Sequence, residues 1–274
     1  MCRIAGVLSS NLNIRETEHQ VRVMCDVMQH GGPDDEGFFA DEQANIVFGH
    51  RRLSIIDLSK SGHQPMADID KRTRITFNGE IYNYRELKTQ LVASGVNFHS
   101  NTDTEVILMA YLQWGVAAFQ KFRGMFAFAL YDATKKITYL VRDTAGIKPL
   151  YYHVSNNKLT FASEVKALKR ADITDEDETW RVRFLAFGHI PEPYTTLKHV
   201  YSLPKGHYLQ WEHGSNTYKI HSYSYSKDVG YVTSPTEAAV KVYDAISKSI
   251  ERQLIADAPI GVFLSGGIDS SIIT

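Results

Sequence analysis

The amino-acid sequence predicts an α+β fold of two stacked, mainly antiparallel sheets with helices on their outer sides. Three observations carry this. Short apolar runs bounded by turn residues recur from Ile46 to Glu212. A few amphipathic helices interrupt them without the regular strand–helix alternation of a parallel sheet. No internal repeat relates one part of the chain to another.

Taken in order, Cys2 to Leu8 reads as a strand that starts at the head of the chain, where termini more often fray. Residues 14 to 30 predict a helix, because Val21, Met24, Cys25 and Met28 recur at i, i+3, i+4, i+7 and Gly31-Gly32-Pro33 stops it. Cys25 is then a core residue. Strands are expected at Ile46–His50, Leu53–Leu58, Thr73–Asn78, Met125–Tyr131, Ile137–Arg142, Leu150–Val154, Leu159–Ala162 and His207–Glu212. Asn83 to Val92 predicts one helix between them, and Thr102-Asp103-Thr104-Glu105 reads as a capping box opening another through Trp114.

Composition shifts after about residue 213, and Ser234-Pro235-Thr236-Glu237 starts a helix with Ala238, Val242, Ala245, Ile246 and Ile250 on one face. Beyond it Pro259 to Leu264 reads as a short strand, Ser265 to Ser270 as a Gly-rich turn and Ser271 to Thr274 as a helix start. The expected division is a domain over 2–212, a linker over 213–233 and the beginning of a second domain over 234–274. A parallel strand needs a neighbour reached by a full crossover, so the last segment reads as part of a longer protein.

The charge balance bounds the function. Lys plus Arg total 30 against 31 Asp plus Glu, which leaves no basic field to draw the chain to nucleic acid or an anionic membrane. No apolar run approaches the roughly 20 residues of a membrane span, and the N-terminus lacks a signal-peptide layout, so a cytoplasmic protein is expected. Cys2 and Cys25 are the only cysteines, too few for a disulfide framework or a cysteine zinc site. H-E-x-x-H, G-x-S-x-G and G-x-G-x-x-G are absent. His50 and His63 have no partners at ligand spacing and read as packing or surface residues. Asp34-Asp35-Glu36 reads as a solvated turn, so no metal site is expected within this stretch.

Cys2 follows the initiator Met, and its side chain is small enough for Met1 to be removed. Thiol and α-amine then share one residue. The amine has an ordinary pKa of about 7.7 to 8.0 and can activate its own side chain as a base.

Further motifs run through the chain in unbroken order: Ile4-Ala5-Gly6, Gly32-Pro33-Asp34-Asp35-Glu36-Gly37, Gly49-His50-Arg51-Arg52-Leu53-Ser54-Ile55-Ile56-Asp57, Gln64-Pro65-Met66 and Asn78-Gly79-Glu80-Ile81-Tyr82-Asn83. Thr102 to Ile107, Gly124 to Phe128, Gly146 to Tyr152, Ala162-Ser163-Glu164 and Ser265 to Ser271 complete the set. With Cys2 at their head, they resemble the class II glutamine amidotransferases, and within these the glutamine-hydrolysing asparagine synthetase family.

The resemblance implies an N-terminal-nucleophile hydrolase fold, a four-layer α/β/β/α sandwich, followed by the start of an α/β synthetase domain of the ATP-pyrophosphatase type. It implies that Cys2 attacks the glutamine carboxamide while the Asn78 side chain and the Gly79 N–H hold the oxyanion. Asn-Gly is also the strongest hairpin-turn dipeptide. Arg52 resembles the residue that grips the α-carboxylate of glutamine, though beside Arg51 it also reads as an exposed strand charge. Glu80 and Asp103 would receive the α-ammonium, with the first-turn position of Asp103 equally explained by the helix dipole. Leu53, Ser54, Ile55 and Ile56 would line the same pocket.

Phe263, Ser265, Gly266, Gly267, Asp269 and Ser270 resemble an ATP pyrophosphate loop, in which backbone N–H groups approach phosphate at a helix N-terminus. ATP with Mg2+ would serve the whole protein as cosubstrate and cation, and the glutaminase half-reaction would need no cofactor. Aspartate would be the acceptor and a homodimer the assembly.

Two departures stand out: Arg3 where the family usually has Gly, and Gln29-His30-Gly31 where it has Arg-His-Arg. Arg3 could lower the thiol pKa, but strand alternation points it to solvent. The readings left open are asparagine synthesis, amidation of another carboxylate such as a sugar acid or peptide, and glutamine binding without catalysis.

Overall fold

The computed structural model describes residues 2–224 and 230–274. In chain order the strands are β1 (Arg3–Ser9), β2 (Asp35–Asp41), β3 (Ile46–Arg52), β4 (Met66–Ala67), β5 (Thr73–Ile81), β6 (Gly124–Asp132), β7 (Ile137–Arg142), β8 (Tyr151–Ser155), β9 (Lys158–Ala162), β10 (Val200–Ser202), β11 (His207–Glu212) and β12 (Thr217–Ser222). The helices are α1 (Ile14–Asp26), α2 (Tyr84–Ala93), α3 (Asp103–Trp114), α4 (Val165–Lys169), α5 (Trp180–Phe187), α6 (Pro235–Gln253) and α7 (Ile268–Ile273).

Two six-stranded sheets form, ordered β10-β8-β9-β1-β3-β2 and β12-β11-β7-β6-β5-β4, with antiparallel pairings throughout. Alternation sorts their side chains into three cores. Ile4, Leu8, Phe48 and Phe161 of the first sheet meet Ala127, Leu140, Leu209 and Trp211 of the second. On its outer side the first sheet turns Ala5, Val7 and Val47 to Val21, Met24 and Cys25 of α1 and to Ala167 and Leu168 of α4. The second sheet packs Ile75, Phe77 and Phe128 on Leu87 and Leu91 of α2 and Val106, Ile107 and Tyr111 of α3. The result is the expected α/β/β/α sandwich, with Cys25 in the core.

Several expectations are corrected. Leu53–Leu58 is a loop without regular structure, because β3 ends at Arg52 and the following backbone bonds to Cys2, Asp34 and Asp257 instead of to a strand. The acidic run at 34–36 is exposed at Asp34 and Glu36 as a solvated turn would be, but it continues into a strand. Asp35 and Glu36 open β2, Glu36 pairs with Arg51 at 2.6 Å, Asp35 with His63 at 2.8 Å, and Asp34 accepts the Ser54 N–H at 2.8 Å.

The capping box at Thr102 is half formed. Thr102 accepts the Glu105 N–H at 3.1 Å, but the buried Glu105 carboxylate turns to the N–H groups of His99 and Ser100, at 2.8 and 2.7 Å. Past residue 212 the second sheet continues into β12, which pairs with β11 along its length. Pro259–Leu264 takes no strand pairing among the described residues.

Candidate active site

Central strand β1 carries Cys2 at its head, and the loop after β3 closes over it. Leu53 brackets the sulfur: its N–H donates to Sγ at 3.3 Å, and its carbonyl lies 3.5 Å from Sγ to accept from the thiol. Burial pushes the thiol pKa up, against the opposing bond from Leu53 and the charge of Arg52. Arg3 does not extend into solvent: its guanidinium pairs with Glu164 at 2.5 Å and donates to the Cys2 carbonyl at 3.1 Å.

A cleft opens beside Cys2, lined by Arg52, Leu53, Ile55, Ile56, Gly62, Gln64, Phe77, Gly79, Glu80 and residues 102–104. Arg51 and Arg52 are both buried, which overturns the exposed-charge reading, but they face different surroundings. Arg51 is consumed by Asp26 at 2.7 Å, Glu36 and the Cys25 carbonyl. Arg52 enters the cleft, steadied by donation to the Ser59 carbonyl at 2.9 Å and to the Asp57 carbonyl. A guanidinium has five N–H donors, so these two bonds leave capacity for an incoming carboxylate.

Asn78 and Gly79 are not a hairpin turn. They lie inside β5, opposite Ala127 and Phe126 of β6. Gly79 has φ +154°, and a Cβ there would strike the Met125 carbonyl, so only glycine lets the strands approach this closely. Asn78 is fully buried, yet neither its amide nitrogen nor its oxygen has a partner. Leaving such a group unpaired costs roughly 1–3 kcal/mol; Asn78 is not among the residues lining the cleft, although Phe77 and Gly79 on either side of it are.

Asp103 begins α3 and accepts the Ile81 N–H at 2.9 Å, tying the helix to the end of β5. Burial raises its pKa to about 7, against the Ile81 bond and with help from Glu80. Glu80 is likewise raised by burial, with Lys148 opposing. Two carboxylates crowded at one end of the cleft suit a cation, and Arg52 suits an anion. Ser54 lies beside the cleft, its N–H committed to Asp34, and is not among the lining residues.

Gly62, Gln64, Phe77, Thr102 and Thr104, none of them expected at the site, also line the cleft. Gln64 accepts the Phe77 N–H at 2.7 Å and donates to Thr104 at 3.2 Å, joining β5 to α3. Its place in the Gln64-Pro65-Met66 motif was the available signal.

The phosphate-loop residues expected in the second segment are not among those lining this cleft. Phe263, Ser265, Gly266, Gly267 and Asp269 are exposed, Ser265 and Ser270 hydroxyls lie 2.9 Å apart, and Gly267 caps α7. The Ser270 hydroxyl also donates to the Gly267 carbonyl at 3.0 Å, so a phosphate here would meet exposed backbone and hydroxyls already bonded within the loop. Asp269 is the one carboxylate there, and no group of three or more His, Cys, Asp or Glu that could hold a metal occurs among the described residues.

A thiol at the head of a central strand, in a sandwich of two antiparallel sheets between helices, is the fold of the N-terminal-nucleophile hydrolases. Residues 1–224 match the family model of the glutamine amidotransferase domain, and the chain belongs to that family. Residues 241–274 match the model described as asparagine synthase.

Among curated proteins, the chain is 39% identical to asparagine synthetase [glutamine-hydrolyzing] 1 of Bacillus subtilis, over all of this chain and 43% of that protein. It is 32% identical to putative asparagine synthetase [glutamine-hydrolyzing] 2 of Methanocaldococcus jannaschii, over all of this chain and 56% of that protein. The chain thus spans about half the length of these relatives. Among solved structures, glutamine phosphoribosylpyrophosphate amidotransferase from B. subtilis superposes with a TM-score of 0.58 at 17% identity, over 82% of this chain and 50% of that one, a likeness of fold.

Proposed function

We propose that the described domain hydrolyses L-glutamine to glutamate and ammonia, with Cys2 as nucleophile. The observation that carries this is the buried, unpartnered amide of Asn78, in the strand that lines the Cys2 cleft. Removal of Met1 frees the α-amine of Cys2, which takes the thiol proton as Sγ attacks the glutamine δ-carbonyl. The oxyanion is held by the Asn78 amide and the Gly79 N–H, a role in which one donor is typically worth 10²–10³ in rate. The same amine returns the proton to the departing nitrogen, ammonia leaves, and water then hydrolyses the γ-glutamyl thioester. Arg52 binds the substrate carboxylate, and Asp103 and Glu80 bind its ammonium.

In the whole protein the ammonia goes to an ATP-activated carboxylate. The names of the relatives support aspartate as the acceptor: ATP adenylates aspartate with release of pyrophosphate, and ammonia displaces AMP to give asparagine. Ser265 to Ser270 would receive ATP phosphate. The Mg2+ that accompanies ATP would need ligands beyond these residues. The setting is cytoplasmic; no helix among the described residues is long and apolar enough to cross a membrane.

The test is glutamate release from glutamine by the chain, with intact mass confirming loss of Met1. Activity that disappears in Cys2→Ala supports the nucleophile; a correctly processed, folded chain without activity counts against hydrolysis and for glutamine binding alone.

A further inference from the structure

The loop over Cys2 supplies three walls of the cleft, Leu53, Ile55 and Ile56, yet it has no strand or helix to hold its shape. Its backbone is held by side chains and by a distant segment. The Asp257 N–H donates to the Ile55 carbonyl at 2.9 Å, and the Asp257 carboxylate accepts the Asp57 N–H at 2.8 Å. These two bonds bracket Ile56. Next to them, Ile255 packs on the same apolar cluster as Ile56.

Asp57 itself stands in the left-handed region, with φ 55°, a conformation that ordinary residues keep only when their surroundings enforce it. Its carboxylate accepts from the Ser59 hydroxyl and N–H and from the Asn101 N–H, and its carbonyl receives the Arg52 guanidinium. The acceptor for Arg52 is therefore set by a residue whose own N–H is fixed from position 257.

We propose that Asp257 is a positioning residue for glutamine. From the segment beyond the amidotransferase domain it sets the loop 53–57, and through Asp57 it sets the Arg52 guanidinium. This rests on the glutaminase reading. Because Asp257 lies on the stretch leading from α6 to the Ser265–Ser270 loop, it also gives that loop a covalent route to the glutamine cleft.

The test compares Asp257→Ala and Asp257→Asn with the parent chain. Asp257→Ala is expected to raise KM for glutamine about tenfold, with kcat changed less than twofold. It should also raise about tenfold the glutamine concentration that half-protects Cys2 from iodoacetamide. Asp257→Asn keeps a carbonyl oxygen to accept the Asp57 N–H and should recover most of both losses. An unchanged KM in Asp257→Ala, or equal losses in the two variants, would overturn the proposal.

Hydrogen exchange at the Asp57 amide reads the same contact without turnover, and Asp257→Ala should accelerate it at least tenfold. A parent chain without glutaminase activity whose Asp57 amide still responds would sink the hydrolytic reading and keep the contact. An active parent with no response in either measurement would sink the positioning role alone.

Discussion

The Arg3 side chain occupies the space that a side chain at Gly31 would need: a Cβ on Gly31 would lie 2.6 Å from Arg3 Cζ and 2.8 Å from its Cγ and Nε. Arg3 and Gly31, one from each departure from the family pattern, are thus packed against each other. A cation reaches Glu164 from β1, at 2.5 Å, while the three-residue turn at Gln29–Gly31 carries only His30, at 3.1 Å from the same carboxylate.

This coupling predicts that Gly31→Ala destabilises the chain by about 1–3 kcal/mol through overpacking. The cost should shrink by at least 0.5 kcal/mol in an Arg3→Gly background, as contacting pairs do. Urea unfolding of the four proteins measures it; equal costs in both backgrounds would show that the pair is independent.

Arg51 and Arg52 are neighbours with separate duties. Arg52→Ala should raise KM for glutamine at least tenfold, because the carboxylate loses its charged partner in the cleft. Arg51→Ala should instead lower stability by about 1–3 kcal/mol, since Asp26 and Glu36 are half or more exposed and can return to water while the Cys25 carbonyl loses its donor. Equal effects on KM would remove the case for a carboxylate role at Arg52.

Gly62 sets the position of Arg52, since a Cβ at residue 62 would land on the guanidinium. Gly62→Ala should therefore raise KM for glutamine severalfold without touching Cys2 chemistry. The rate of Cys2 alkylation in the absence of glutamine should stay within twofold of the parent; a large change would mean that residue 62 shapes the thiol site as well.

Asp103 predicts a pH dependence of binding. Its pKa is raised to about 7, so below neutrality it is protonated in the empty cleft and cannot pair with the glutamine ammonium. KM should rise about tenfold per pH unit below 7, and Asp103→Asn should have a higher KM that is flat in this range. The stability linkage runs the other way. A carboxyl whose folded pKa lies above its unfolded value stabilises the fold below about pH 4, and that contribution is lost as pH rises through 7. The ligand-free parent should therefore lose stability relative to Asp103→Asn between pH 5 and 8, with glutamine restoring it to the parent alone.

The sandwich was legible because its central strands are short apolar runs, buried on both faces, and its main helices carry apolar stripes, as Val21, Met24 and Cys25 do in α1. The cleft was legible only through motif resemblance. Asn78-Gly79 has the local chemistry of a turn, and only pairing with β6 puts it inside a strand. Leu53 to Leu58 has the composition of a strand, but its backbone bonds go to Cys2, Asp34 and Asp257, partners 20 to 200 residues away in sequence. The different surroundings of Arg51 and Arg52 depend on which face of β3 each occupies, and adjacency in sequence does not record that.

The proposed nucleophile for the glutamine carboxamide is Cys2, freed of Met1. Treating the processed chain with an electrophilic glutamine analogue and mapping the adduct by peptide mass should give one adduct per chain on Cys2, none on the buried Cys25, and protection by glutamine. No adduct on Cys2 of folded, processed protein, or labelling that glutamine does not slow, would contradict that role.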